Sequence, residues 1–146
     1  MPKIDFYILS ETTEKAGLLF ACRLIEKAYK QNFSIYIHTQ QAASAYALDE
    51  LLWTYRDDSF LPHNLLGEEL NPPPPIQIGF ASAPQKPRDI LINLSEEVPV
   101  FYSQFSRVLE LVINTPDEQQ KGRLRYRVYR EAQHAIQTHK LESIEV

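Results

Sequence analysis

Between residues 121 and 130 the chain reads KGRLRYRVYR, five cations and two tyrosines with no acid among them. Wound at about 3.6 residues per turn, Arg123, Tyr126, Arg127, Arg130 and His134 fall on one stripe. Leu124, Val128, Ala132, Ala135 and Ile136 fall on the other side, where they are expected to pack on a sheet. A run of charge is commonly a solvated helix face. Here, however, the arginines are i, i+4 and i+7 neighbours, and no acid between 119 and 130 offsets their repulsion. Their planar guanidinium groups suit carboxylate and phosphate, and a tyrosine lies among them. Such a stripe fits a small acidic ligand with an aromatic or aliphatic anchor, or a few nucleotides of single strand.

A second candidate surface is aromatic. Tyr46 and Trp53, i and i+7 on one helix edge, are flanked by Asp49 and Glu50 and set off from Leu48 and Leu52; Phe60, Leu61 and Pro62 follow in a loop. Such a cluster is either core or, if exposed, a protein-binding hot spot.

Other chemistry is sparse. The first strand is followed by SETTEKAG, without a G-x-G-x-x-G or G-x-x-x-x-G-K-[ST] cradle, and the chain has only four glycines. His38, His63, His134 and His139 have no partners at metal-ligand spacing. Cys22 lacks an activating neighbour, and Ser10, Ser59 and Ser95 sit in no nucleophile elbow. The acid pairs Asp57-Asp58, Glu68-Glu69 and Glu96-Glu97 read as solvated loop charges. No catalytic residue, metal or cofactor is expected.

The elements that must position these residues follow from periodicity. IDFYIL (4–9) reads as a strand covered on both faces, with Ser10, Thr12 and Thr13 as capping hydroxyls. Leu18, Cys22, Ile25 and Tyr29 make the stripe of a helix that stops near Asn32. SIYIHT (34–39) is a strand; residues 40–55 form a helix with Ala45, Leu48 and Leu52 inward, ending at Asp57 and Asp58. After FLPHNLL, the four prolines Pro72 to Pro75 read as a stiff extended loop. PIQIGF (75–80) and DILINL (89–94) are strands, and 101–113 has a helical start and a β-rich end. Pro116 and Asp117 then open a helix expected to run to about Leu141. Strands alternating with helices imply an α/β fold: an open, mostly parallel sheet covered by helices, nucleotide-binding-like but without a phosphate loop.

The 146 residues fit a single domain, 1–146. No stretch approaches the ~18 apolar residues of a membrane span. A lone cysteine and an N-terminus unlike a secretory signal point to the reducing cytoplasm. The net charge of -4 argues against coating nucleic acid, although a local basic site remains open.

The ordered set FYIL, LDELLW, SFLPHNL, RDILINL and RYRVYR resembles the chi subunit of bacterial DNA polymerase III holoenzyme over essentially the whole chain. The resemblance implies a non-catalytic adaptor that forms a heterodimer with the psi subunit, which ties it to the clamp loader. It also implies binding of the acidic C-terminal tail of single-stranded DNA-binding protein, which ends in an aromatic residue. Carried over, Arg123, Tyr126 and Arg127, with Arg130 and the apolar wall Val112, would bind that tail; Trp53, Phe60 and Pro62 would face psi. Residue 127 departs from the family lysine but keeps the charge, and the Pro72–Pro75 loop is peculiar to this chain. No direct DNA binding and no membrane contact are implied. The alternatives on residues alone are a small nucleotide-binding enzyme and a direct single-stranded nucleic-acid binder using the helix 121–134.

Overall fold

The computed structural model describes residues 2–56, 60–68, 73–86 and 88–141. Among these residues seven strands form one sheet: β1 (Lys3–Leu9), β2 (Ile35–Thr39), β3 (His63–Leu65), β4 (Ile76–Phe80), β5 (Ile90–Asn93), β6 (Arg107–Val112) and β7 (Ile136–Leu141). Their order is β3-β4-β2-β5-β6-β1-β7, and every pairing is parallel. Strands β4 and β5 are therefore separated by β2. The helices are α1 (Glu14–Lys30), α2 (Ala42–Thr54) and α3 (Pro116–Glu131), with a short 3-10 turn at Tyr102–Gln104.

A parallel sheet needs both faces covered, and side-chain alternation divides the core accordingly. Ile35, Ile37, Ile76, Ile78, Ile90, Ile92 and Leu109 meet Cys22, Ile25 and Ala28 of α1 and Ala45, Leu48 and Leu52 of α2. On the other face Ile4, Phe6, Tyr36, Leu91, Val108 and Val112 meet Tyr129 of α3 and Phe101 and Phe105. Thr13 caps α1 by accepting from the Ala16 N–H, and Thr115 caps α3 by accepting from the Glu118 N–H, with Pro116 opening the helix. Asn32 takes the left-handed conformation just past α1, as its position predicts. Buried Cys22 has its thiol pushed up to about 12, by burial and by Glu26, so it is a packing residue rather than a nucleophile.

Three expectations need correction. The long final helix ends at Glu131, because Gln133 turns left-handed and the chain returns as β7, paired to β1 from Ile4↔Ile136 to Leu9↔Leu141. Between α2 and β4, where no strand is expected, His63–Leu65 forms an edge strand on β4. The phase of α3 also differs, since Leu124 and Val128 are about half exposed while Gly122, Arg125 and Tyr129 are buried. Ala132 and Ala135 are exposed, and Ile136 belongs to β7. Asp57, Asp58, Ser59, Glu69 and Pro72, each part of a sequence reading, lie outside the described residues.

Tyr36, wholly buried, donates its hydroxyl to the Ser82 carbonyl at 2.6 Å and lies against Gly79 of β4. A Cβ at 79 would collide with the Tyr36 hydroxyl and stand 2.9 Å from its Cζ. Gly79→Ala is thus expected to cost about 1–3 kcal/mol, seen as a lowered midpoint in urea unfolding. An unchanged midpoint would mean that the ring moves freely.

Candidate functional site

The basic segment divides into two populations once α3 is placed. Arg125, 4% exposed, donates from Nε to Glu110 Oε1 at 2.8 Å and from its other nitrogens to the carbonyls of Glu96 (3.1 Å) and Leu111 (3.3 Å). Glu110, wholly buried on β6, also accepts from Asn93 Nδ2 at 2.9 Å and from the Tyr129 hydroxyl at 2.6 Å. Burial pushes the Glu110 carboxyl above its usual range, while the Arg125 charge and the donors from Tyr129, Asn93 and Arg125 pull against it. Lys121 is also engaged, at 2.7 Å from Glu96, 3.1 Å from Asp117 and 3.9 Å from Glu118. Glu96 is therefore an ion-pair partner as well as a loop charge. These two cations serve the fold; Arg123, Arg127 and Arg130 remain exposed on the stripe.

Beside that stripe lies a hollow of about 490 Å³ between α3 and the edge of the sheet. Its lining combines Phe6, Ile8, Val112 and Tyr126 with the cations Arg123 and Lys140, and with Gln119, Gly122 and Thr138; among the described residues no carboxylate lines it. Gly122 lets the helix approach closely, since a Cβ there would stand 2.8 Å from Val112 Cγ2. Tyr126 packs on Phe6 with ring centres 5.3 Å apart. Thus Val112, Arg123 and Tyr126 line one hollow. Arg127 and Arg130 continue the stripe without lining the hollow.

Thr138 and Lys140 went unrecognised because they sit on β7, which reads as helix in the sequence. That strand is fastened by Asp5 of β1, which accepts from Arg107 Nε at 2.8 Å and lies 3.0 Å from His139 Nε2. His139 also stacks on Tyr7 with centres 4.7 Å apart. Burial raises the Asp5 carboxyl, but the hydrogen bonds and charges of Arg107 and His139 outweigh it and hold it below the ordinary carboxylate range. The anchor is thus fully present above that range and fades as pH falls through the depressed value.

The aromatic cluster is at the opposite edge. Trp53 is 56% exposed and Phe60 67%, with ring centres 5.9 Å apart; Pro62 is half-buried nearby and Tyr46 is exposed on the same helix. Of the two readings, core or exposed surface, the structure selects the second.

A second concavity, about 470 Å³, lies at the carboxyl ends of the strands, where open α/β sheets bind nucleotides. Glu14, Glu96, Asp117 and Glu118 line it, and its arginine is Arg125, already bound to Glu110. Acids lining a cleft that lacks a glycine-rich turn repel a triphosphate. Among the described residues, no three of the His, Cys, Asp and Glu side chains group to hold a metal ion, and no helix is long and apolar enough to cross a membrane.

Residues 1–137 match the family described as DNA polymerase III chi subunit, HolC. The DNA polymerase III subunit chi of Pseudomonas aeruginosa is 40% identical over 144 residues, spanning 99% of this chain and all of the relative. That of Escherichia coli is 33% identical over 140 residues, 90% of this chain and 93% of the relative. The Haemophilus influenzae subunit chi is 32% identical over 127 residues, 86% and 88% respectively.

Proposed function

The chain belongs to the DNA polymerase III chi subunit family, and on that premise we propose that it is a non-catalytic adaptor joining the psi subunit to the acidic C-terminal tail of single-stranded DNA-binding protein. Membership puts its work in DNA replication; the two partners and the link through psi to the clamp loader are the reading we add.

The observation that carries the tail assignment is the hollow beside α3. A tail ending in an aromatic residue brings a ring, side-chain acids and a terminal carboxylate. Phe6, Ile8, Val112 and Tyr126 offer the ring an apolar seat, and Arg123 and Lys140 offer donors to the carboxylates, with no acid in the lining among the described residues. Arg127 and Arg130 stand further along the stripe, where they favour acids preceding the aromatic end. Trp53 and Phe60, exposed together, supply the large aromatic anchors typical of a protein interface and support the psi assignment, with Pro62 beside them.

A titration of the tail peptide tests the first assignment. Arg123→Ala is expected to weaken binding roughly three- to tenfold, as loss of one charge-assisted contact at a partly solvated site. Arg127→Ala should weaken it less. Affinity should fall as salt rises. Unchanged affinity in both variants would remove the tail from this hollow. Direct single-strand binding instead predicts comparable affinity for an oligonucleotide without any protein partner, and the net charge of -4 opposes it.

A further inference from the structure

Trp53 and Phe60 are large apolar side chains left in water, and a display of that kind needs something to hold it. Beneath them lies His63, the first residue of β3, whose side chain is wholly buried. Its Nδ1 is 2.6 Å from the Leu61 carbonyl, and its Nε2 is 3.2 Å from both the Asp49 carbonyl and the Asp49 carboxylate. All three neighbours are acceptors, so the ring is satisfied at both nitrogens only by donating from both.

We propose that His63, clasped between Asp49 and Leu61, is a positioning residue that holds Trp53 and Phe60 together as one recognition surface. The inference rests on the reading of that surface as the psi contact. Asp49 and Trp53 are i and i+4 on α2, so the carboxylate that grips the imidazole and the indole that lies on it share one helix face. The indole and imidazole centres are 4.6 Å apart with the rings inclined at 50°. On the loop side, Leu61 is 2% exposed: its side chain anchors in the core while its carbonyl takes the Nδ1 proton. Phe60 is therefore tied one residue from a fixed point and 5.9 Å from Trp53. Two aromatic rings already placed lose less freedom on binding than two that must be ordered.

Among the described residues, the charged group facing His63 is Asp49 from α2. The loop contributes the Leu61 carbonyl, and from β4 the register partner is Ile76.

Trp53 is the sole tryptophan of the chain, so its fluorescence reports on this contact alone. Releasing the clasp should turn the indole further into water, so Trp53 emission should move to longer wavelength in Asp49→Ala and in His63→Gln. In a titration with the purified psi subunit, His63→Phe should bind about tenfold more weakly, with His63→Gln, which keeps one donor, in between. Unchanged affinity for the tail peptide would certify that the variants are folded, since that hollow is at the far edge. Wild-type psi affinity in His63→Phe, alongside lost affinity in Trp53→Ala, would overturn the clasp and leave the surface intact. Wild-type affinity in Trp53→Ala would overturn the surface. The clasp would then stand or fall on the fluorescence alone, refuted by emission unchanged in Asp49→Ala and in His63→Gln.

Discussion

Replacing Arg125 with alanine is expected to remove roughly 3–5 kcal/mol of folding stability, much of what a domain of this size possesses. Replacing Arg127, two residues on, should change stability by less than about 0.5 kcal/mol. The difference lies in what each leaves behind. Arg127 is exposed. Without Arg125, the wholly buried Glu110 keeps two neutral donors, Asn93 and Tyr129, but loses its counter-charge, and two backbone carbonyls lose their donor. The loss should also depend on pH. Burial holds the Glu110 carboxyl high, and removing the cation raises it further. A carboxyl raised in the folded state favours folding when protonated, so the penalty is smallest in acid and grows as pH climbs through the folded-state value. Urea unfolding of both variants at two pH values checks the claim. A loss under about 1 kcal/mol for Arg125→Ala would mean that water replaces the guanidinium.

The second large effect is on assembly. Trp53→Ala should weaken the psi complex by about 2–4 kcal/mol, some thirty- to several-hundredfold, as measured by calorimetric titration with purified psi. Folding should be little disturbed, because Trp53 is 56% exposed and the α2 residues that fill the core are Ala45, Leu48 and Leu52. Phe60→Ala should follow in the same direction. The two losses should not add, since rings 5.9 Å apart act as one unit. A Trp53→Ala protein that associates normally would leave the aromatic pair without this role.

What could be read from the sequence follows from where each element sits. Strands β1, β2, β4, β5 and β6 are interior to the sheet, so their apolar runs are dictated by burial on two faces. Strands β3 and β7 are edges. IQTHKL needs no such run and contains no β-branched cluster, so nothing in it contradicts a helix. The end of α3 was hidden for a similar reason: the left-handed residue is Gln133, where glycine or asparagine would have signalled a stop. With β7 taken as helix, the wall carrying Thr138 and Lys140 could not be found. The phase of α3 failed because its inward face holds Gly122, Arg125 and Tyr129 while Leu124 and Val128 face water. One signal was available. Glu110 interrupts the apolar strand RVLELV, and an acid at an inward-facing strand position demands a buried cation. By contrast, Trp53 and Phe60 were recognised as a cluster, although residue types alone could not decide which side of the surface they occupy.

The strand order β3-β4-β2-β5-β6-β1-β7 sets the aromatic pair near one margin and the α3 hollow at the other. Six inter-strand steps separate these margins by on the order of 30 Å, too far for either guest to crowd the other. A bridge with two non-overlapping ends has a concentration at which it works best. When it is scarce, the ends it should join go unjoined. In surplus, one copy occupies each partner separately and no copy holds both. On the proposed function, joining the two partners is therefore favoured by matched stoichiometry rather than by abundance.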